Sequence, residues 1–122
     1  MKLYTTYFAN LRNLPDCILP IRVSLGNVAN SRTIPYPKFF PKSEDFKAYK
    51  CTGDFQNLKY NYAEKVLAYL NPEAVLEELE ELSGGRDIAF VCFEKDPMSC
   101  HRSFIAEWFN IHGIECEEVK HK

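Results

Sequence analysis

The chain reads as one α/β domain, a small and largely parallel sheet flanked by helices, with a βαβ unit at its C-terminal end. Three segments predict this. Asp87-Ile88-Ala89-Phe90-Val91-Cys92 is an apolar, strand-like run; the stretch from about Cys100 to His112 sets Ile105, Trp108 and His112 at helical spacing, with Phe104 and Ile111 beside them; Ile114 to Val119 is strand-like again. Strand, helix and strand in that order make a βαβ unit, whose parallel strands need a right-handed crossover.

The remaining elements follow from the N-terminus. Leu3 to Phe8 mixes Tyr, Thr and Phe as a strand does, and Asn10 to Asp16, with Pro15, marks a loop. Cys17 to Leu25 is a second strand in which Pro20 restricts the ladder to an edge or delays the strand to Ile21. From Gly26 to Phe55 the periodicity dissolves among Gly26-Asn27, Asn30-Ser31, Pro35, Pro37, Pro41 and Gly53, with a short helix over Ser43 to Lys50 capped by Ser43. A loop of that length in a small domain is usually functional. Its rings, Tyr36, Phe39, Phe40, Phe46 and Tyr49, alternate with Lys38, Lys42, Lys47 and Lys50, which suits either a surface that stacks bases or a loop pinned to the core. Asn57 to Leu70 carries Leu58, Tyr62, Val66 and Tyr69 on one helical stripe. Asn71-Pro72 then opens another helix, as cap and first residue, and Gly84-Gly85 ends it.

With 122 residues, 46% hydrophobic and 26% charged, the composition is that of an ordinary globular domain with a single core. No apolar run approaches the roughly 18 residues that span a bilayer, and Met1 to Tyr7 is too poor in apolar residues for a signal peptide, so a cytoplasmic protein is expected. The five cysteines are odd in number and lack framework spacing, which predicts reduced thiols, with Cys17, Cys51 and Cys116 as small buried hydrophobes. Charge is uneven: residues 1 to 65 hold ten Lys or Arg against five Asp or Glu, and residues 66 to 122 hold five against twelve. The basic segment 12–50 suits either a surface that meets the phosphates of a nucleotide or nucleic acid, or scattered, solvated charges in a loop-rich half.

Reactive side chains concentrate in Cys92-Phe93-Glu94-Lys95-Asp96-Pro97-Met98-Ser99-Cys100-His101-Arg102, a strand-to-helix turn. Such turns lie at the carboxyl ends of strands, where open α/β sheets bind ligands. Ser99 as helix cap, the free amides of the helix start and the Arg102 fork would hold an anion, and the same helix end would favour a thiolate at Cys100. Glu94 and His101 are candidates for proton transfer, His101 being equally a core histidine on the apolar stripe that includes Ile105, and Cys92, two residues before Glu94, shares its strand face. Three chemistries fit: a phosphate-bearing ligand anchored by Arg102, a Cys92/Cys100 redox or nucleophilic pair, and zinc held by Cys92, Cys100, His101 and Glu94. The Cys pair is not Cys-x-x-Cys, and the zinc set matches no common ligand spacing, so neither metal nor cofactor is expected.

On Val91-Cys92-Phe93-Glu94, the Pro97-containing insert, Cys100-His101-Arg102-Ser103 and Ile105-Ala106-Glu107-Trp108, the sequence resembles the domain of unknown function 488 family. Tyr4 to Ala9 and Ile21 to Ser24 are similar to that family's amino-terminal part. The resemblance implies an α/β fold and a site at Cys92, Glu94, Cys100, His101 and Arg102, and it brings no activity with it. The leading expectation is a phosphate-bearing ligand, nucleotide or nucleic acid, at the turn 92–102. The alternatives are a thiol-dependent enzyme using Cys100, and a non-catalytic domain in which the cluster fastens strand to helix.

Overall fold

The computed structural model describes residues 1–28, 31–94 and 100–119. Five strands, β1 (Leu3–Tyr7), β2 (Ile18–Arg22), β3 (Ile34–Pro35), β4 (Asp87–Cys92) and β5 (Cys116–Glu118), form one sheet in the order β3-β2-β4-β1-β5, and every pairing is parallel. Four helices accompany it: α1 (Ser43–Thr52), α2 (Phe55–Lys65), α3 (Pro72–Ser83) and α4 (Arg102–Ile111). β4, α4 and β5 are the predicted C-terminal unit.

β4 is central because both of its faces are buried, which is why its sequence is a continuous apolar run. Ile88, Phe90 and Cys92 face the larger core, with Leu79 of α3 and Ile105, Trp108 and Phe109 of α4. Ala89 and Val91 face a smaller cluster made with Phe8, Leu11 and Leu14, on or just after the 3-10 turn Phe8–Asn13. The period of two along the strand thus separates two cores.

Pro20 does not delay β2. The strand begins at Ile18 and lies inside the sheet, with Pro20 opposite Ala89 of β4. Val23 N–H bonds Val91 O on the β4 side, whereas Arg22 O accepts from Tyr36 N–H on the β3 side. That alternation turns the nitrogen of Pro20 toward β3, whose two residues reach only Ile21 and Arg22. No ladder bond is demanded where proline lacks its donor, and to that extent the edge expectation holds.

Other boundaries move for local reasons. Ser43 is the first residue of α1 rather than its cap; the N-cap position is Lys42, without a side-chain bond. α2 starts earlier than predicted because Asp54 caps it, accepting from Asn57 N at 3.0 Å, and the helical stripe ends at Lys65 before a separate 3-10 turn, Leu67–Tyr69. Tyr69, expected on the buried stripe, is exposed, as is Ile111 on α4; Phe109 takes the core position instead. Asn71 behaves as predicted, accepting from Glu73 N and Ala74 N at 2.9 and 3.2 Å, and Gly84 closes α3 with φ 66°, a conformation L side chains resist.

Within residues 26–55, Phe39 is fully buried and meets Phe90, Trp108 and Phe109 edge-on, and Tyr36 packs beside it. Tyr62 OH donates to Phe39 O at 2.6 Å. Those rings pin the segment to the core. Several basic side chains of that half are engaged internally: Arg22 donates to the carbonyls of Ser24, Leu25 and Gly26, Arg32 bonds Asp16 and the carbonyls of Leu11 and Leu14, and Lys38 pairs with Glu78. No helix among the described residues is long and apolar enough to cross a membrane.

Candidate functional site

Because all strands run in one direction, the ends of β1, β2 and β4 meet at one edge of the sheet, and α4 starts over that edge. Tyr7, Val23 and Cys92 arrive there from the strands, and Cys100, His101 and Arg102 from the helix start. Cys92 and Cys100 are both buried, with their sulfurs at disulfide distance and their Cα atoms 7.0 Å apart. That proximity leaves reduced thiols unshown for this pair, while Cys17, Cys51 and Cys116 are free. Spacing of eight residues is no guide, since what brings the sulfurs together is the return of the chain from β4 to α4. Cys17 and Cys51 are also exposed rather than buried, whereas Cys116 lies in the core, where burial pushes its thiol up to about 12.

His101 is held from both ring nitrogens. Nε2 lies 2.7 Å from Val23 O. A carbonyl only accepts, so Nε2 carries the hydrogen and Nδ1 presents a lone pair. That lone pair lies 3.5 Å from Cys92 Sγ. Burial is the largest influence on the ring and the Arg102 charge adds to it; against the Val23 bond, they bring the imidazole down to about 4. His101 is therefore neutral at pH 7, with Tyr62 against its ring.

Arg102, the predicted anion anchor, is 0% exposed. Its Nε and Nη2 donate to the two carboxylate oxygens of Glu118 at 3.0 and 2.8 Å, and Nη1 donates to Glu94 O. Tyr7 lies under the guanidinium, 5.7 Å from ring centroid to Cζ. The fork thus ties α4 to β5 and to the end of β4. Only the backbone of Glu94 is recruited by it, and Glu94 itself is exposed. Ser99 falls outside the described residues; α4 begins at Arg102, and the cap position is His101, with no side-chain cap bond.

A hollow of about 60 Å³ opens at this edge, lined by Leu25, Pro41, Phe46 and Phe93 together with Cys92, Glu94, Cys100 and His101. It has room for a water or two or one small group, far below the several hundred Å³ of a pocket for a nucleotide-sized ligand. Its wall is set by Arg22, which gathers three successive carbonyls at 24–26 and stacks over Phe40 at 4.9 Å.

Sequence reasoning brought together Cys92, Cys100, His101 and Arg102, and the fold does the same. It missed Val23, Arg22, Tyr62 and Glu118. The position of Arg22 and Val23 at the carboxyl end of a strand was a usable signal; Glu118 and Tyr62 had none. The family model described as "Domain of unknown function DUF488" matches residues 27–109. The match includes Cys92 to Arg102 but neither Val23 nor Glu118, which hold His101 and Arg102 in place. No curated protein and no solved structure matches the chain.

Proposed function

We propose that this chain, which belongs to the domain of unknown function 488 family, works as a thiol–disulfide centre through Cys92 and Cys100. The observation that carries the reading is a pair of cysteine sulfurs at disulfide distance at the carboxyl edge of a parallel sheet, lining a hollow beside a neutral imidazole. In the reduced state the two sulfurs are unequal. Cys92 gives its S–H to the Nδ1 lone pair, which opposes negative charge there, whereas Cys100 lies next to the start of α4, whose amides and dipole favour a thiolate.

Cys100 is accordingly the nucleophile. Its thiolate attacks one sulfur of a small dialkyl disulfide, whose sulfur and one or two carbons are what the hollow admits, forming a mixed disulfide and releasing one thiolate. Cys92 then loses its proton to water and attacks Cys100 Sγ; the protein disulfide forms and the second small thiolate leaves. Two electrons and two protons have passed from the protein to the small disulfide, and two small thiols reverse the exchange.

A phosphate-bearing ligand, nucleotide or nucleic acid, is the second reading, supported by the helix start and the basic balance of the first half. It requires Arg102 to exchange Glu118 for phosphate, and the small apolar hollow supports the thiol reading better.

The test equilibrates the full chain with graded glutathione ratios under chelator, quenches with an alkylating agent after denaturation, and counts modified thiols by mass. Two cysteines should change state together, in one two-electron transition that Cys92→Ser and Cys100→Ser abolish and Cys17→Ser and Cys51→Ser preserve. If every cysteine alkylates at all ratios, or if the pair involves Cys17 or Cys51, the reading is wrong.

A further inference from the structure

We propose that Cys92, Cys100 and His101, once the disulfide is reduced, form a binding site for a thiophilic divalent cation, with zinc as the reference ion. The three donor atoms are buried and lie within 4.8 Å of one another. This uses the side chains of the thiol centre but stands on a different observation, the aim of the imidazole. Val23 O takes the Nε2 hydrogen and so turns the Nδ1 lone pair onto the sulfurs. A backbone carbonyl on the far nitrogen is the usual support of a metal-bound histidine, because it fixes tautomer and ring orientation together.

The distances agree with this. A tetrahedral zinc, at about 2.3 Å from sulfur and about 2.05 Å from nitrogen, holds S and N roughly 3.6 Å apart and two sulfurs roughly 3.8 Å apart. Cys92 Sγ and His101 Nδ1 are at 3.5 Å. The Cα atoms of the two cysteines, 7.0 Å apart, leave room for the sulfurs to separate by side-chain rotation while β4 and α4 stay in place.

Charge agrees as well. Two thiolates and a neutral imidazole balance a divalent ion, and the adjacent Arg102 is already balanced by Glu118, so the loaded site carries no net charge into the core. Binding displaces two thiol protons to solvent. Three protein donors leave a fourth position, and the hollow lined by all three residues is where water or a small thiolate would occupy it. Cys-x7-Cys-His escapes the usual zinc patterns because adjacent Cys100 and His101 supply two of the donors from one helix start.

The test uses the full chain, reduced with a phosphine that does not bind the metal, and titrated with zinc against a chromophoric chelator and separately with cobalt(II). One ion should bind per chain, and cobalt should show thiolate charge-transfer bands and the intense visible bands of a tetrahedral site. Cys92→Ser, Cys100→Ser and His101→Gln should each weaken zinc by at least about 100-fold, while Cys17→Ser with Cys51→Ser leaves affinity unchanged. If the variants fail to fold, the parent's cobalt spectrum still decides. Absence of thiolate bands, absence of one-to-one binding, or retained binding in Cys92→Ser/Cys100→Ser would overturn the proposal. The glutathione titration contains no metal, so failure of either experiment leaves the other intact.

Discussion

Removing the carboxylate of Glu118 separates the two roles open to Arg102. The guanidinium is 0% exposed, whereas the Glu118 side chain is 30% exposed, and two charge-assisted bonds at 3.0 and 2.8 Å join them. Glu118 also accepts from Thr5 Oγ1, so a single carboxylate links β1, β5 and α4. Breaking a buried pair by deleting one partner costs about 3–5 kcal/mol, since the remaining charge stays buried. The partial exposure of Glu118 lets water substitute in part, which puts Glu118→Ala near the lower end, about 3 kcal/mol. In a domain of this size that is a fall in Tm of roughly 10–15 °C. Urea unfolding followed by circular dichroism measures it. Replacing both partners, as Arg102→Met/Glu118→Leu, should recover most of the loss, because an apolar pair of similar volume leaves no charge behind. A Glu118→Ala chain within about 1 kcal/mol of the parent, or a double variant equal to the sum of the singles, would refute the structural role of the fork. If stability were unchanged while phosphate-ligand binding disappeared with Arg102→Ala, the anion reading would take its place.

Other outcomes follow from the same packing. His101 has its charged form suppressed to about 4 against an ordinary 6.5, so the unfolded chain takes up a proton below pH 6.5 that the folded chain refuses. Stability should therefore fall as pH drops from 6.5 toward 4, by about 3 kcal/mol from this residue, and His101→Gln should flatten that part of a urea-midpoint profile against pH. Phe39→Ala removes a fully buried ring against Phe90, Trp108 and Phe109; a loss of about 3–5 kcal/mol in denaturant titration is expected, where a base-stacking surface ring would leave stability nearly unchanged. Asn71→Ala deletes an acceptor for two amides at the start of α3 and should cost about 1 kcal/mol, readable as a shift in urea midpoint without change of slope.

What was legible in the chain follows the range of the interaction involved. β4 could be read because burial on both faces leaves one continuous apolar run, and α3 because Asn71, Pro72 and Gly84 act on amides and carbonyls within one turn. Pro20 misled because its effect depends on how far β3 extends beside it, a property of another segment. Residues 26–55 read as a loop for the same reason: Phe39 is anchored by partners at 62, 90, 108 and 109, none of them local.

The site divides along that line too. Proximity in sequence was enough to place Cys92, Cys100, His101 and Arg102 on one turn, but each chemical role was decided by a group from elsewhere. An arginine at a helix start has the donors for phosphate and for a carboxylate alike; Glu118, delivered by the edge strand β5, supplies a carboxylate. A histidine beside two cysteines can be a base, a packed ring or a ligand; Val23 O, delivered by β2, chooses the tautomer that turns a lone pair toward sulfur. With the guanidinium engaged by an internal anion and the imidazole aimed at the sulfurs, the reactive groups left facing the hollow are the sulfurs of Cys92 and Cys100 and the exposed Glu94. The thiol–disulfide and metal-binding proposals accordingly both rest on the sulfurs.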